Sequence, residues 1–242
     1  LVFAALSVLL AVNDTYFAGQ GGSATALGSM TEVRMIDADI RVKVPTCEVT
    51  VTYTFKNEGA ATTVTMGFPE EGIDSYLDGG RKTWFKKFES LVDGKLVSVT
   101  AVKDDDPDRE SYGYKIWWTK KVDFAPGQTR KVVNRYISQP GSDTSPRKFL
   151  QYITRTAQTW MGDIKKLRIE FDCSGLPAKT RYAAVPHPHK RTNDTLKWFW
   201  ESFEPTEDHD VLVAWEPSPG FYDKDFADPK EILGGEVFRR GG

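Results

Sequence analysis

Three histidines are the first residues whose chemistry asks for a reading: His187, His189 and His209. Imidazoles could ligate a metal, but Pro188 splays the first pair and no third ligand stands nearby in sequence. They read as solvated loop histidines. The run DDDPDRE sets Asp104, Asp106 and Asp108 at alternate positions, as a calcium loop would. An EF-hand counted from Asp104 needs glycine sixth and glutamate twelfth; Arg109 and Lys115 stand there instead, so a solvated hairpin turn is expected. The 34 Asp and Glu offer no pair marked out for glycoside hydrolysis. No GxSxG, P-loop or HExxH occurs. The expectation is a protein that is not an enzyme, with no cofactor and no metal.

The aromatics come next. SYGYKIWW and LKWFWESF each crowd several rings into eight residues. On a strand, Trp198 and Trp200 share one face and Phe199 takes the other, while Trp117 and Trp118 must face opposite sides. At least one ring of each cluster therefore points away from its own core. Trp117, Trp118, Trp198 and Trp200 are the candidates for an aromatic surface, either a subunit contact or a platform for sugar rings.

Two cysteines remain, Cys47 and Cys173, 126 residues apart and each on the apolar side of a strand pattern. That spacing excludes a CxxC redox motif and a zinc knuckle. They are buried small hydrophobes or one disulfide. The sequons Asn13-Asp14-Thr15 and Asn193-Asp194-Thr195 make Asn13 and Asn193 glycosylation candidates in an exported chain.

These residues are carried by strands. In CEVTVTYTF, Cys47, Val49, Val51, Tyr53 and Phe55 alternate with Glu48, Thr50, Thr52 and Thr54. KKLRIEFDC repeats the pattern, with Leu167, Ile169, Phe171 and Cys173 on one face. Such period-two runs of β-branched and aromatic residues predict half-buried strands. Ten more strand candidates are separated by turn signals such as Asn57-Glu58-Gly59, Asp93-Gly94 and Pro126-Gly127. No helical pattern exceeds a turn or two. The class is all-β, as antiparallel β-sandwich, with two sandwiches expected. The run SQPGSDTSPRK suggests the boundary, giving domains over 30–138 and 147–216. Residues 217–242 lose all alternation and read as an irregular extension.

Composition narrows the partners. The 242 residues carry 32 Lys and Arg against 34 Asp and Glu. That balance offers neither the basic patch that nucleic acid requires nor a pull towards anionic lipid.

EVRMIDADIRVKV, VTYTFKNEGAATTVTMGFPEE, FESLVDGKLV and WWTKKVDFAPGQTRKVVNRY together resemble a family of exported bacterial proteins known only as a domain of unknown function. The likeness extends through FLQYITRTAQTWMGDIKKLRIEF and FEPTEDHDVLVAW, over residues 30–216. The first half is also similar in outline to the domain preceding von Willebrand-type modules in inter-alpha-trypsin inhibitors. Both resemblances imply a β-rich exported fold. Neither brings an active site, because Asn57, Gly59, Phe68 and Pro69 are turn and core residues.

The segment LVFAALSVLLAV, residues 1–12, is too short to span a bilayer as a helix. Its length suits the apolar part of a signal peptide, although cleavage after Ala11 would leave Leu9 at a position that wants a small residue. Alternatively it is a strand covered on both faces, with Val2, Leu6, Val8, Leu10 and Val12 contacting a second copy and the glycine-rich stretch to residue 29 as tether. Head-to-tail strand addition of that kind makes a homopolymer. The leading expectation is thus a non-catalytic extracellular fibre or surface subunit. The alternative is a monomeric exported binding module for polysaccharide or protein.

Overall fold

A computed structural model of the chain describes residues 20–28, 31–73, 83, 85–103, 113–142, 147–223 and 229–241. Residues Val2, Leu6, Val8, Leu10, Val12 and Asn13 lie outside them, as does the DDDPDRE run. The first strands are β1 (Gln20–Gly22), β2 (Thr25–Leu27), β3 (Val33–Lys43), β4 (Glu48–Asn57), β5 (Thr62–Ile73) and β6 (Lys87–Val92). Then come β7 (Lys95–Val97), β8 (Thr100–Lys103), β9 (Gly113–Phe124), β10 (Thr129–Ile137), β11 (Gly141–Ser142) and β12 (Lys148–Ile153). The last are β13 (Ile164–Asp172), β14 (Arg181–Val185), β15 (Lys190–Thr192), β16 (Thr195–Phe203), β17 (Val211–Trp215) and β18 (Val237–Arg239), with one short helix, α1 (Pro229–Leu233).

Alternation explains these strands. On β4 the side chains of Val49, Val51, Tyr53, Phe55 and Asn57 are buried, and Thr50, Thr52 and Thr54 between them face outwards. Each such strand hides one face, so the sheets must stack. The first sheet runs β18-β14-β17-β12-β1-β5-β9-β8, with β11 on β12 and β2 on β5. The second runs β15-β16-β13-β3-β4-β10-β6-β7. The protein is an all-β sandwich.

The expectation of two separate sandwiches is corrected. Both proposed domains contribute strands to both sheets, and they meet edge to edge. At one seam β13 pairs with β3 over Lys166–Asp172 and Asp37–Lys43; at the other β1 pairs with β12. Both seam pairs are parallel, so the sheets are mixed rather than purely antiparallel. A single buried cluster reaches from Ala24 to Phe238. Within it Tyr53 and Tyr152, one from each half, join hydroxyls at 3.0 Å. The backbone N–H of Ala24 donates to Tyr53, and the Trp160 indole donates to the Ala24 carbonyl at 2.7 Å. Even the expected boundary is structural, since β11 lies on β12.

Residues 217–242 also differ from expectation. Tyr222 and Leu233 are buried against Phe149, Ala183 and Ala214, forming a second, smaller core on the outer side of the first sheet. Its described residues cover β12, β14 and β17, and β18 extends the first sheet beside β14. Little alternation is legible there because the contacts come from turns, one short helix and a three-residue strand.

Cys47 and Cys173 are both buried free thiols. Cys47 sits in the turn before β4 at φ 56°, not within a strand, and its Sγ contacts the Pro45 carbonyl at 3.4 Å. Burial pushes the Cys47 thiol up to about 12 and raises Cys173 as well.

The shared core makes the two halves of the chain depend on each other. Residues 30–138 and 147–242, produced separately, should each fail to give a cooperative thermal transition, whereas the joined chain melts in one. Circular dichroism of the three species measures this. An acid whose folded pKa exceeds its unfolded value ionises first in the unfolded chain, so stability is lost as pH rises between the two. For Cys47 that window runs from about 9 to about 12, and Cys173 acts in the same sense. Lys120, pulled down to about 8 by burial, works in the opposite sense, but the thiols outnumber it. Urea midpoints should therefore fall between pH 9 and 10, and the fall should shrink in a Cys47→Ala/Cys173→Ala double variant, leaving what the buried tyrosines contribute.

Candidate functional site

The outer face of the second sheet carries a row of charged and hydroxyl side chains. Strand register brings four strands into line there. Phe199 of β16 pairs with Arg168 of β13, Arg168 with Asp39 of β3, and Asp39 with Thr52 of β4. Parallel rows place Asp37 beside Thr54, and Arg41 beside Thr50. Neighbouring strands lie about 4.8 Å apart, so the row from Phe199 to Thr52 spans about 14 Å. Asp37, Asp39, Arg41, Arg168, Lys131 and the three threonines line a shallow depression of about 430 Å³.

The charges are organised as a chain. The Arg168 guanidinium donates from Nη2 to both oxygens of Asp37 at 2.8 and 2.9 Å, and from Nε to Asp39 at 3.4 Å. Arg41 donates to the other Asp39 oxygen at 2.8 Å. These hydrogen bonds raise both guanidinium pKa values, Arg168 chiefly through Asp37 and Arg41 chiefly through Asp39. The Arg168 side chain is 47% exposed, so solvent screens the pairs and they contribute at most about 1 kcal/mol each to stability. The Arg41 side chain is 69% exposed, and those of Asp37 and Asp39 are 31% and 26% exposed. Next to this chain the Phe199 ring is 55% exposed, with the His189 ring edge-on at 4.9 Å. An exposed ring, paired Asp and Arg groups and a hydroxyl ladder on rigid strands can stack on one face of a polar ring and hydrogen-bond its substituents.

The aromatic surface expected at Trp117, Trp118, Trp198 and Trp200 is corrected accordingly. Trp198 is 1% exposed and packs edge-on to Phe171 at 6.0 Å. It shares the inward face of β16 with Leu196, which leaves Phe199 as the outward ring. Trp200 is half-buried, with His189 and His209 edge-on at 5.2 and 5.4 Å. Trp118 points between the sheets, where its indole donates to the buried Glu70 at 2.8 Å and its ring stacks on Phe88 at 4.9 Å. Trp117 is half-buried on the opposite side of β9, facing away from the core. The four indoles thus occupy separate environments. Asn193 is exposed at φ 53° in the two-residue turn joining β15 and β16.

Nδ1 of His189 accepts the Phe199 N–H at 3.1 Å, and Nδ1 of His209 accepts the Thr206 N–H at 3.0 Å. The histidines are turn-forming and ring-supporting groups. No cluster of potential metal ligands occurs among the described residues. Nor is any described helix long and apolar enough to cross a membrane.

No family model and no curated protein matches the sequence. Solved structures do. A crystal structure of a "putative nutrient binding protein" from Legionella pneumophila is similar over 84% of this chain and 73% of that one, with 18% identity and a TM-score of 0.65. The two share a fold. A two-domain M1 zinc metallopeptidase aligns over 78% of this chain and 44% of its own, at 12% identity and a TM-score of 0.38, too distant to argue from.

The two adjacent rings of β16 should respond oppositely to truncation. Trp198→Ala should cost about 3–5 kcal/mol by opening a core cavity, whereas Phe199→Ala should stay within about 1 kcal/mol. Denaturant titration of both variants checks the assignment.

Proposed function

We propose that the chain is a non-catalytic, exported binding module that holds a saccharide across the outer face of its second sheet. The observation that carries this reading is the register-aligned row Phe199, Arg168, Asp39 and Thr52. A sugar ring presents an apolar C–H face and a rim of hydroxyls that both donate and accept. Phe199 matches the first. The carboxylates of Asp37 and Asp39 accept, the guanidiniums donate, and the threonine hydroxyls do either. The 14 Å row suits a short oligosaccharide better than a single sugar. The fold shared with a protein described as nutrient binding supports a module whose work is retention rather than chemistry.

A glycan array should return at least one saccharide class, and calorimetry should give its affinity. Phe199→Ala and Arg168→Met should each weaken that affinity at least tenfold, corresponding to about 1.4 kcal/mol, while melting temperatures shift by only a few degrees. A blank array, or equal affinity in wild type and both variants, would overturn the assignment.

A further inference from the structure

Between the sheets, three strands stack their inward side chains in layers. On β6 and β10, Phe88 pairs with Tyr136, Ser90 with Asn134, and Val92 with Val132. Facing them on β9 are Trp118, Lys120 and Val122, whose β5 partners are Phe68, Met66 and Val64. An aromatic layer and an aliphatic layer therefore enclose a polar one. Lys120 is 6% exposed, and Ser90 and Asn134 are fully buried.

The hydrogen bonding within this layer does not close. Ser90 Oγ donates to Asn134 Oδ1 at 2.8 Å, and Lys120 Nζ donates to the same oxygen at 3.3 Å. The ammonium is donor-only, so the Asn134 atom facing it must be the oxygen, and turning the amide over would set N–H against N–H. Asn134 Nδ2 consequently points elsewhere, buried and without a partner. An ammonium with two unused N–H groups and an amide with two more lie together, and among the described residues no carboxylate pairs with Lys120. Burial without such a partner pulls the lysine pKa down to about 8. The inward titratable groups nearest along the facing strands are Tyr136 on β10 and Glu70 on β5.

We infer that this layer is a binding site for a small anion of the halide or nitrate class, held between Lys120 Nζ and Asn134 Nδ2. An anion offers only acceptors and cancels the buried charge, which are the two things the layer lacks. A water molecule would bring two hydrogens of its own into a site already rich in donors. The pairing of β8 with β9 ends at Thr100 and Thr119, so Lys120 lies one residue beyond that cover, near the edge from which an ion would enter. The site is separate from the outer-face row and holds whether or not that row binds saccharide.

The test uses bromide. In crystals of the chain grown with sodium bromide, an anomalous peak should lie within hydrogen-bonding reach of both Lys120 Nζ and Asn134 Nδ2. In solution, bromide should raise the melting temperature of the wild-type chain relative to that of Lys120→Met, whereas sulfate, which stabilises folded chains generally, should move both alike; Asn134→Leu should lie between. Bromide-81 line broadening by the wild-type chain, suppressed by competing chloride, gives a readout that does not require either variant to fold. Bromide peaks confined to the surface, or identical bromide responses in the wild-type chain and Lys120→Met, would overturn the inference.

Discussion

The parallel pairing of β3 with β13 is the constraint on which the rest of the molecule depends. It joins the two halves of the chain into one sheet, and it sets Arg168 opposite Asp39 and within reach of Asp37. On its inner side the same pairing aligns Leu167, Ile169 and Phe171 with Ala38, Ile40 and Val42. Burial of those side chains supplies the stability. The exposed ion pairs on the outer side add little, so the charges there are available for recognition without being required for folding. One seam thus produces both a continuous core and a patterned surface.

Much of the fold is legible in the sequence because half-buried strands write their period directly. β4 and β13 were expected within a residue or two of their ends, and the all-β class follows from a dozen such runs. The strands before residue 138 and those after residue 147 each span both sheets. Alternation cannot say that these groups fuse edge to edge. Parallel neighbours distant in sequence leave no local turn signature, so the seams were hidden. The same holds for residues 217–242, where contact with the sheet is made by scattered residues such as Leu233.

The site was harder to read for a related reason. The sequence established that Trp198 and Phe199 face opposite ways, but not which face is buried. Leu196 and Trp198 fall opposite Phe171 and Ile169 in the paired register, and that decides it. Thr50, Thr52 and Thr54 were visible as the polar side of a strand; only pairing with β3 sets charged groups next to them. The polar layer around Lys120 gave still less signal, since a lysine within YGYKIWWTKKVDF reads as a solvent-facing residue. The two polar regions differ in kind: one is solvated and ordered by ion pairs, the other dry and short of acceptors.

The proposed recognition by the outer face built on the β3–β13 seam is tested most directly by backbone amide shifts in two-dimensional NMR, recorded as a saccharide is titrated in. The largest shifts should cluster at Asp37, Asp39, Thr52, Arg168 and Phe199, with residues on the first sheet nearly still. Shifts centred on the first sheet, or none at any amide with any saccharide offered, would contradict it.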